Sequence, residues 1–522
     1  MTKATGRSNG LWGLFLIILL ITSLHSQGAY QPLQVISPRA SGTGSPAIPS
    51  THRIFSAYPG LAYKIRAQVV GGDYPYSFAL NNAPAGMTVD SKGYIRWPNP
   101  QANAQNIGLR ITDSSGNSIN TSWSINVQTS GFRFVDINAP TNGNGSLTSP
   151  YNSIANMALT AAATDIIYFR SGRYPVPARG THTIGNASAY QWRNPDTATK
   201  WIAYPGASVT IDLTNNRYFY EATNVPFYFD GLTFYQGREY FFRAISTSTY
   251  VTFLDNTFDT LTLERPNYNS NQETYFTMHG GKGYFLTFQG NKFSGFRGTQ
   301  GIGSLYDQDT ILVENNHFTD FSGANSTGQV LAFKTAIINL TLRGNVVILP
   351  ASSDFGIMGS SLNSQFTGGT EHGTYSENIE VLYNYFRHDG SGLVEFNRFN
   401  NQRTTWVYRN TFASRLQMTY LDVDCNGPWI INNNVFQNAS SGLSYHYSCS
   451  GNYTACVSQS GNVGATSGLI NLEGKLLPGH ITNLGLAGWQ FPDGSTPMEN
   501  GYSTPPGSSQ LLKAPGNFKS SP

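Results

Sequence analysis

Seven titratable side chains recur in the middle and late parts of a chain in which only 12% of the residues are charged. Each falls between one copy of a short sequence repeat and the next, in or beside a stretch that supplies one strand. If the repeats stack, these side chains lie on neighbouring strands, and most of them share one solvent-facing side. They are His279, Lys334, His372, Glu395, Asp422, Asp424 and His446.

Such a set suits the cleavage of an acidic polysaccharide by β-elimination. A base must remove the C5 proton of a uronate, and a cation must neutralise the carboxylate in the carbanion-like transition state. Lys334 or His372 is the predicted base. Glu395, Asp422 and Asp424 offer the clustered carboxylate oxygens that bind Ca²⁺, which makes Ca²⁺ the candidate cofactor.

Two other uses of the same residues stay open at this point. Glu395 and Asp422 on neighbouring strands would stand roughly 5–8 Å apart, which suits the two carboxylates of a glycoside hydrolase. Alternatively, the charges only solubilise a glycan-binding protein or adhesin, as outward charges on a sheet often do. An enzyme should gather these charges in one cleft, whereas a stalk should scatter them.

Other residues are expected to hold the substrate. His279 and His446 occupy matching places in their repeats. A register shift of one residue would bring Arg398 into the same groove. Substrate binding is therefore assigned to His279, Arg398 and His446.

The strands that would position these residues belong to a repeat of two apolar residues, an Asn and a further apolar residue. The two-residue period within a copy indicates strands, and recurrence every 24–39 residues indicates a solenoid. We predict that the Asn side chains stack and bond to one another, and that each Asn takes the left-handed backbone of a sharp corner. Tyr383 and Tyr385, beside one such corner, are expected at the surface. The repeated Asn residues are Asn256, Asn291, Asn316, Asn345, Asn384, Asn410 and Asn434, and Leu232 takes their place in an eighth copy.

This phrase resembles the right-handed parallel β-helix repeat of the pectate-lyase-like superfamily, over roughly residues 131–480. The resemblance implies coils of three strands, with the third strand on the floor of the substrate groove. The superfamily includes lyases, hydrolases, epimerases and esterases, so the resemblance implies a fold more than a reaction. Third strands are predicted at 275–281, 300–306, 329–335, 371–376, 392–399, 418–425 and 441–448.

A second, smaller β unit is predicted over residues 52–129. Short alternating runs such as Tyr63 to Val69 and Ile107 to Ile111 are separated by Gly- and Asp-rich turns, which is typical of a β-sandwich. The run from Ala83 to Asp90, followed by Gly93 to Trp97, resembles the bacterial cadherin-like or immunoglobulin-like module. The fold class is thus all-β, with an immunoglobulin-like sandwich ahead of a parallel β-helix. We expect the sandwich to fold independently and its removal to leave the β-helix folded.

The ends of the chain and its charge complete the picture. Lys3 and Arg7 precede an apolar run from Leu11 to Ile21, which reads as a secretory signal peptide over residues 1–26. The mature protein is therefore expected outside the cell or in the periplasm, free of the membrane and monomeric. Residues 27–51 are predicted as a linker and 481–522 as a carboxyl-terminal cap and irregular tail. A net charge of +3 gives no support for a nucleic-acid partner and leaves a polysaccharide as the expected one.

The three cysteines, Cys425, Cys449 and Cys456, match no common zinc-binding spacing. Their odd number leaves one unpaired. A disulfide between Cys449 and Cys456 is compatible with an exported protein, but the spacing does not decide the pairing.

Overall fold

The structure, a computed structural model, describes residues 31–176 continuously and then the strands and adjoining turns of the later chain. The later described segments are 181–184, 187–190, 199–214, 218–222, 226–237, 240–244, 248–261, 274–278, 283–297, 300–305, 308–321, 329–333, 337–350, 356–360, 377–388, 393–397, 404–412, 415–419, 429–432, 434–436, 443–446 and 457–460.

The amino-terminal unit is the predicted β-sandwich. Its sheets have the strand orders β2-β9-β8-β5 and β3-β7-β6, with β1 and β4 as a separate antiparallel pair. Alternate residues of the long strands, such as Ile107, Leu109 and Ile111, are fully buried, as the two-residue period predicts. The strands are β1 (Gln34–Ser37), β2 (Ser56–Ala57), β3 (Tyr63–Arg66), β4 (Gln68–Val70), β5 (Ser77–Asn81), β6 (Thr88–Val89), β7 (Tyr94–Trp97), β8 (Ala104–Thr112) and β9 (Ser118–Val127), with a 3-10 helix at Arg53–Phe55.

Ordered structure starts earlier than the sequence indicates. Strand β1 lies inside the segment predicted as a linker, and it pairs with β4. Ile36 and Ile48 from this segment are buried in the core of the sandwich. The Pro, Ser and Gly content that indicated a linker reflects tight turns between these anchors.

The rest of the described chain is a parallel β-helix, as predicted. The described strands of its coils form three parallel sheets, which we name A, B and C. Sheet A holds twelve strands: β10 (Phe132–Val135), β11 (Ile166–Phe169), β15 (Lys200–Ala203), β18 (Phe227–Asp230), β21 (Thr249–Leu254), β24 (Gly283–Gln289), β27 (Gln308–Glu314), β30 (Ile338–Arg343), β33 (Glu377–Leu382), β36 (Thr405–Tyr408), β39 (Trp429–Asn432) and β42 (Val457–Ser460). Sheet B holds ten: β12 (Gly172–Pro175), β16 (Val209–Asp212), β19 (Thr233–Gly237), β22 (Thr257–Leu261), β25 (Lys292–Phe296), β28 (His317–Thr319), β31 (Val346–Leu349), β34 (Tyr385–His388), β37 (Thr411–Phe412) and β40 (Val435–Phe436).

Sheet C has two parts that follow one another along the coils. The first has six strands: β17 (Tyr218–Ala222), β20 (Tyr240–Ala244), β23 (Thr274–Met278), β26 (Gln300–Leu305), β29 (Gln329–Phe333) and β32 (Gly356–Ser360). The second part, next to β32, has three: β35 (Leu393–Asn397), β38 (Arg415–Thr419) and β41 (Leu443–His446). A separate antiparallel pair joins β13 (Thr181–Ile184) to β14 (Ala187–Tyr190).

A short helix packs against the open end of the first coil. Helix α1 (Ile154–Thr160) begins at Ser153, whose side chain accepts a hydrogen bond from the Asn156 amide. Ile154 and Met157 are buried in the same core as the coils. A solenoid end needs such a cover, because its apolar interior would otherwise meet water. Among the residues that the structure describes, no helix has the length and apolar character needed to cross a membrane.

The predicted Asn row is confirmed. The Nδ2 group of Asn316 donates to Asn345 Oδ1 at 3.0 Å and to the Phe288 carbonyl at 2.9 Å. Its Oδ1 accepts from the backbone and side-chain amides of Asn291, both at 2.9 Å. The same pattern runs from Asn256 to Asn434, and every member is buried. At the first coil of the row, the Leu232 amide donates to Asn256 Oδ1 at 3.0 Å.

One detail of the corner prediction is wrong. The left-handed backbone belongs to the residue before each Asn, since the Asn side chain must point into the corner while its predecessor makes the bend. These predecessors have φ between 54° and 73°, and three of them, Gly231, Gly290 and Gly344, are glycines that adopt such angles without strain. The full set is Gly231, Asp255, Gly290, Asn315, Gly344, Tyr383 and Arg409.

We expect Asn316→Leu to destabilise the β-helix by about 1–3 kcal/mol for each buried partner that it leaves unbonded. The Asn291 amides, the Phe288 carbonyl and the Asn345 carbonyl oxygen would all lose a partner. Chemical denaturation monitored by circular dichroism measures the change. Asn138→Leu, at an exposed position, is the matched control, and equal midpoints for the two variants would contradict the role given to the row.

Candidate functional site

The sandwich covers the outer face of sheet A, which decides where a polymer could bind. Along β18 to β36, one row of residues in register alternates with the core row and so faces away from the interior. Every member of this outward row is buried, because the sandwich lies over it. The row is Asp230, Leu254, Gln289, Glu314, Arg343, Leu382 and Tyr408.

The centre of this contact is an ionic cluster. Arg343 donates to Glu314 Oε1 from Nε at 2.9 Å and from Nη2 at 2.7 Å, and Arg66 of the sandwich reaches Glu314 Oε2 at 3.2 Å. Arg343 also donates to Tyr76 OH at 2.7 Å and to the Val69 carbonyl at 2.9 Å. Burial alone would raise the pKa of Glu314, but Arg343 and Arg66 outweigh it and hold the pKa below its usual value. The cluster therefore stays charged although it is inaccessible to water.

A second cluster joins the sandwich to the earlier coils. Lys64 Nζ lies 2.7 Å from Asp230 Oδ1 and 2.8 Å from Asp255 Oδ2. Tyr94 donates to the other oxygen of Asp255 at 2.5 Å. Burial raises the pKa of Asp230 despite the nearby Lys64, whereas for Asp255 the pull of Lys64 outweighs burial and lowers the pKa. One lysine thus links two successive corners of the β-helix to the sandwich.

The remaining contacts of the sandwich involve tyrosines, among them Tyr383, which the sequence predicts at the surface. Tyr383 is buried and donates to the Tyr74 carbonyl at 2.8 Å, and Tyr408 donates to Asp73 Oδ1 at 2.7 Å. Tyr385, the first residue of β34, is also buried. The surface prediction for Tyr383 and Tyr385 is therefore wrong. For Tyr383, the sandwich supplies the cover, and no local pattern predicts it.

Glu380 is a carboxyl group buried in this interface. Its Oε2 accepts from the Thr341 hydroxyl at 3.2 Å and its Oε1 from the Gln31 amide at 3.3 Å. No cation of the described chain lies within ion-pair distance of it, and burial raises its pKa to about 7 even though Arg343 opposes the shift. The folded protein therefore favours the protonated form. Its contribution to stability is fully present below the unfolded pKa of about 4.5, falls as the pH rises and is lost above about 7.

We expect Glu380→Gln to stabilise the protein at pH 8 by up to about 3 kcal/mol and to change little at pH 4. Gln keeps the shape and the acceptor oxygen but carries no charge to desolvate. Urea midpoints at the two pH values measure the difference. Asp320→Asn, at an exposed carboxyl group, is the control, and a Gln variant with the same midpoint as the parent at pH 8 would show that Glu380 is not strained by its charge.

With sheet A covered, the row expected to face a substrate groove is on sheet C. In its second part, Glu395 pairs with Gln417, which pairs with Ser444. The next row on the same face is Asn397, Thr419 and His446, and the preceding row contains Leu393 and Arg415. Glu395 and His446 therefore lie on one face of β35 and β41, two residues and two strands apart. The register of the backbone therefore places these residues in neighbouring rows, and their role as a substrate site stays a prediction.

Most of the other predicted site residues lie outside the described residues. They are Lys334, His372, Asp422, Asp424, His279 and Arg398. In sequence, His279 directly follows Met278 at the end of β23, and Lys334 directly follows Phe333 at the end of β29. Met278 and Phe333 both pair with Leu305 of the strand between them. Met278 and Phe333 therefore hold equivalent register positions at the ends of their strands. Leu331 and Phe333 of β29 are buried.

One third-strand prediction differs from the structure, and another falls outside the described residues. The strand expected at 418–425 is β38, at Arg415–Thr419, so Asp422 and Asp424 come after it. Leu416 and Met418 alternate with polar residues just as Leu421 and Val423 do, and only pairing with Val394 and Phe396 selects between them. Residues 371–376 lie outside the described residues, and the third strand described for that coil is β32, at Gly356–Ser360, which His372 follows in sequence.

Several polar residues in these register rows are not evident from the sequence. On β38 they alternate with Leu416 and Met418, but the similar alternation around Leu421 and Val423 favours a different strand. Within the described residues, no group of three His, Cys, Asp or Glu side chains is placed to hold a metal ion. Of the three predicted Ca²⁺ ligands, only Glu395 has a described backbone, and all three cysteines lie outside the described residues. The residues missed are Arg415, Gln417, Thr419 and Ser444.

The fold and the covered sheet define a class of protein: a parallel β-helix with an immunoglobulin-like sandwich docked on one sheet. The sequence model of the family described as "Putative Ig domain" matches residues 45–128. A solved structure titled as the crystal structure of pectate lyase Pel9A aligns with 75% of this chain and 94% of its own chain, at 14% identity and a TM-score of 0.33. No curated protein matches the chain in sequence.

Proposed function

We propose that this protein is an exported enzyme that cleaves an acidic polysaccharide by β-elimination, in a groove along sheet C. The observation that carries the proposal is the polar face of β35, β38 and β41, where Glu395, Gln417 and Ser444 lie in one register row beside Asn397, Thr419 and His446. Parallel strands repeat every ~4.8 Å, so the rows offer polar groups at regular steps along the solenoid. An extended sugar chain with hydroxyls at regular intervals fits such a ladder.

The placement of the sandwich supports this groove. Its described contacts fall on sheet A and on the corners that follow it. Sheet C, in or beside which the predicted site residues fall in sequence, is therefore the sheet that we propose as the groove. The cations that follow β23 and β29 would lie beyond one edge of the same sheet. An acidic sugar chain along sheet C would therefore meet His279 and Lys334 as well as the polar rows.

The residues have distinct roles in this proposal. Lys334 or His372 removes the C5 proton, while Glu395 with Asp422 and Asp424 binds Ca²⁺, whose charge would offset that of the substrate carboxylate. His279, Arg398 and His446 hold the sugar chain. Residues 1–26, which resemble a signal peptide, would direct the export of the protein.

The test is to incubate the purified protein with a panel of uronate polysaccharides and to follow the ultraviolet absorbance of the unsaturated product. A rise in absorbance with one substrate, dependent on Ca²⁺, is the expected result. New reducing ends without absorbance would replace the lyase by a hydrolase. Binding without any cleavage would reduce the groove to a glycan-binding surface.

A further inference from the structure

A cleft of about 380 Å³ lies at the seam between the sandwich and the early coils of sheet A. This volume is within the range of pockets that bind small molecules. Arg96, Pro98, Pro205 and Gly206 at its rim are exposed, and the deeper lining residues are buried, so the cleft has an open mouth and a closed floor. The buried lining residues are Arg53, Tyr63, Tyr168, Ile202 and Asp230.

Arg53 is an unusual residue for such a floor. Its side chain is 1% exposed, and no carboxylate of the described chain forms an ion pair with it. Nη1 donates to the Ser56 carbonyl at 2.6 Å and Nη2 to the Tyr168 hydroxyl at 3.1 Å, whereas the Nε donor has no acceptor within the described residues. Asp230 attracts the guanidinium without forming an ion pair with it. A buried guanidinium that lacks a direct anionic partner is costly unless an anion completes it.

The other charges of the lining are already paired. Arg96 Nη1 lies 2.6 Å from Asp90 Oδ2, and Lys64 is shared between Asp230 and Asp255. Arg53 is therefore the lining cation left to meet a ligand. Asp230, with its charge offset by Lys64, adds a carboxylate that can accept a hydrogen bond from a hydroxyl.

The remaining lining is aromatic and apolar. The guanidinium of Arg53 lies over the Tyr63 ring, 4.7 Å from its centre, and Tyr168 and Tyr204 also line the cleft. Aromatic faces beside a few polar groups are typical of sites for ligands that combine C–H surfaces with hydroxyls.

We propose that this cleft binds a single carboxylate-bearing sugar residue, with its carboxylate at Arg53 and its ring against the tyrosines. The inference rests on the proposed function for its ligand class, because an acidic glycan is the source of such a residue. It concerns a different surface from the groove, since the cleft lies against sheet A. Binding here would hold one acidic end or branch of the glycan while sheet C engages the rest of the chain.

The experiment measures binding of glucuronate, galacturonate, glucose, galactose and acetate to the full-length mature protein by isothermal titration calorimetry and ligand-observed NMR. At least one uronate should bind, and at least about tenfold more tightly than its neutral sugar and than acetate, because a charge-assisted contact is lost in each case. Arg53→Gln should raise the uronate Kd about tenfold or more, and Arg53→Lys, which keeps the charge, should raise it less.

A cleft-filling variant keeps the test independent of the buried arginine. Ala62→Trp places a ring at a half-buried lining position and should abolish uronate binding. Ala85→Trp, at an exposed position of the sandwich outside the cleft, should leave binding unchanged. Equal affinity for uronate and neutral sugar, binding of acetate as strong as that of uronate, unchanged binding in Ala62→Trp, or no binding at all would each overturn the proposal.

The same measurements separate this inference from the proposed function. Uronate binding that Ala62→Trp abolishes, in a protein that cleaves no uronate polymer, would keep the cleft and reject the groove enzyme. Cleavage of a polymer by a protein whose cleft binds no uronate would do the reverse.

Discussion

Removal of residues 31–130 is expected to leave the β-helix unable to fold to a soluble monomer. The outward row of sheet A would meet water with its apolar members, and residues such as Phe285, Leu312 and Leu382 now pack in one cluster with the sandwich core. An exposed apolar sheet face of this extent is an aggregation site. This outcome is the opposite of what the sequence suggests, because the sequence predicts two independent units.

The measurement compares the protein from residue 27 onward with a version that starts at residue 131. Size-exclusion chromatography and circular dichroism should show soluble β structure for the first and aggregates for the second. If the shorter protein is monomeric and unfolds cooperatively at the same midpoint, the sandwich is a separable module and its contacts contribute little.

A point variant tests the same interface without removing it. Arg343→Met should cost about 3–5 kcal/mol, because it leaves the buried Glu314 with Arg66 as its one charged partner among the described residues, beside the neutral donor Gln289. The matched control is Arg297→Met, which breaks an exposed ion pair with Asp320 and should cost less than about 1 kcal/mol. Equal losses of stability would mean that the interface is hydrated in solution.

Lys334→Ala or His372→Ala is expected to lower polysaccharide turnover by about 10²–10⁴-fold without lowering the melting temperature. Removing a general base slows proton abstraction by this order, and neither residue lies within a described strand. Absorbance assays give the rate, and thermal denaturation checks the fold. Lys292→Ala, at an exposed position on sheet B, should retain full activity.

The carboxylates give a second set of outcomes for the same groove. Asp422→Asn should lower activity, and added Ca²⁺ should partly restore it, because the substitution weakens Ca²⁺ binding and leaves the base unchanged. Loss of activity in Glu395→Gln alone, with both base variants active, would favour hydrolysis. Full activity in every variant would place the chemistry away from sheet C.

The repeat itself could be read from the sequence because its physics is local and recurs. A two-residue period turns alternate residues inward in every coil, and a buried amide is tolerated only where neighbouring copies bond to it. Seven Asn residues at one place in the repeat therefore determine the coil, the corner and the direction of stacking. The same argument located β29, β35 and β41, where no insertion intervenes between strand and corner.

Strand β38 shows where local information ends. Leu416 with Met418 and Leu421 with Val423 satisfy the apolar alternation equally well, and only pairing with Val394 and Phe396 of the neighbouring coil selects the first stretch. As a result, Asp422 follows its strand in sequence, and Gln417 takes the register position beside Glu395.

The sequence by itself determined the parallel β-helix, the Asn row and the immunoglobulin-like sandwich. Only the tertiary structure decided that the sandwich covers sheet A, and so that Glu314, Arg343 and Glu380 are buried and the polar face of sheet C is the groove candidate. The physical reason is separation along the chain. Arg343 meets Tyr76 across 267 residues, and no period or motif near either residue carries information about the other.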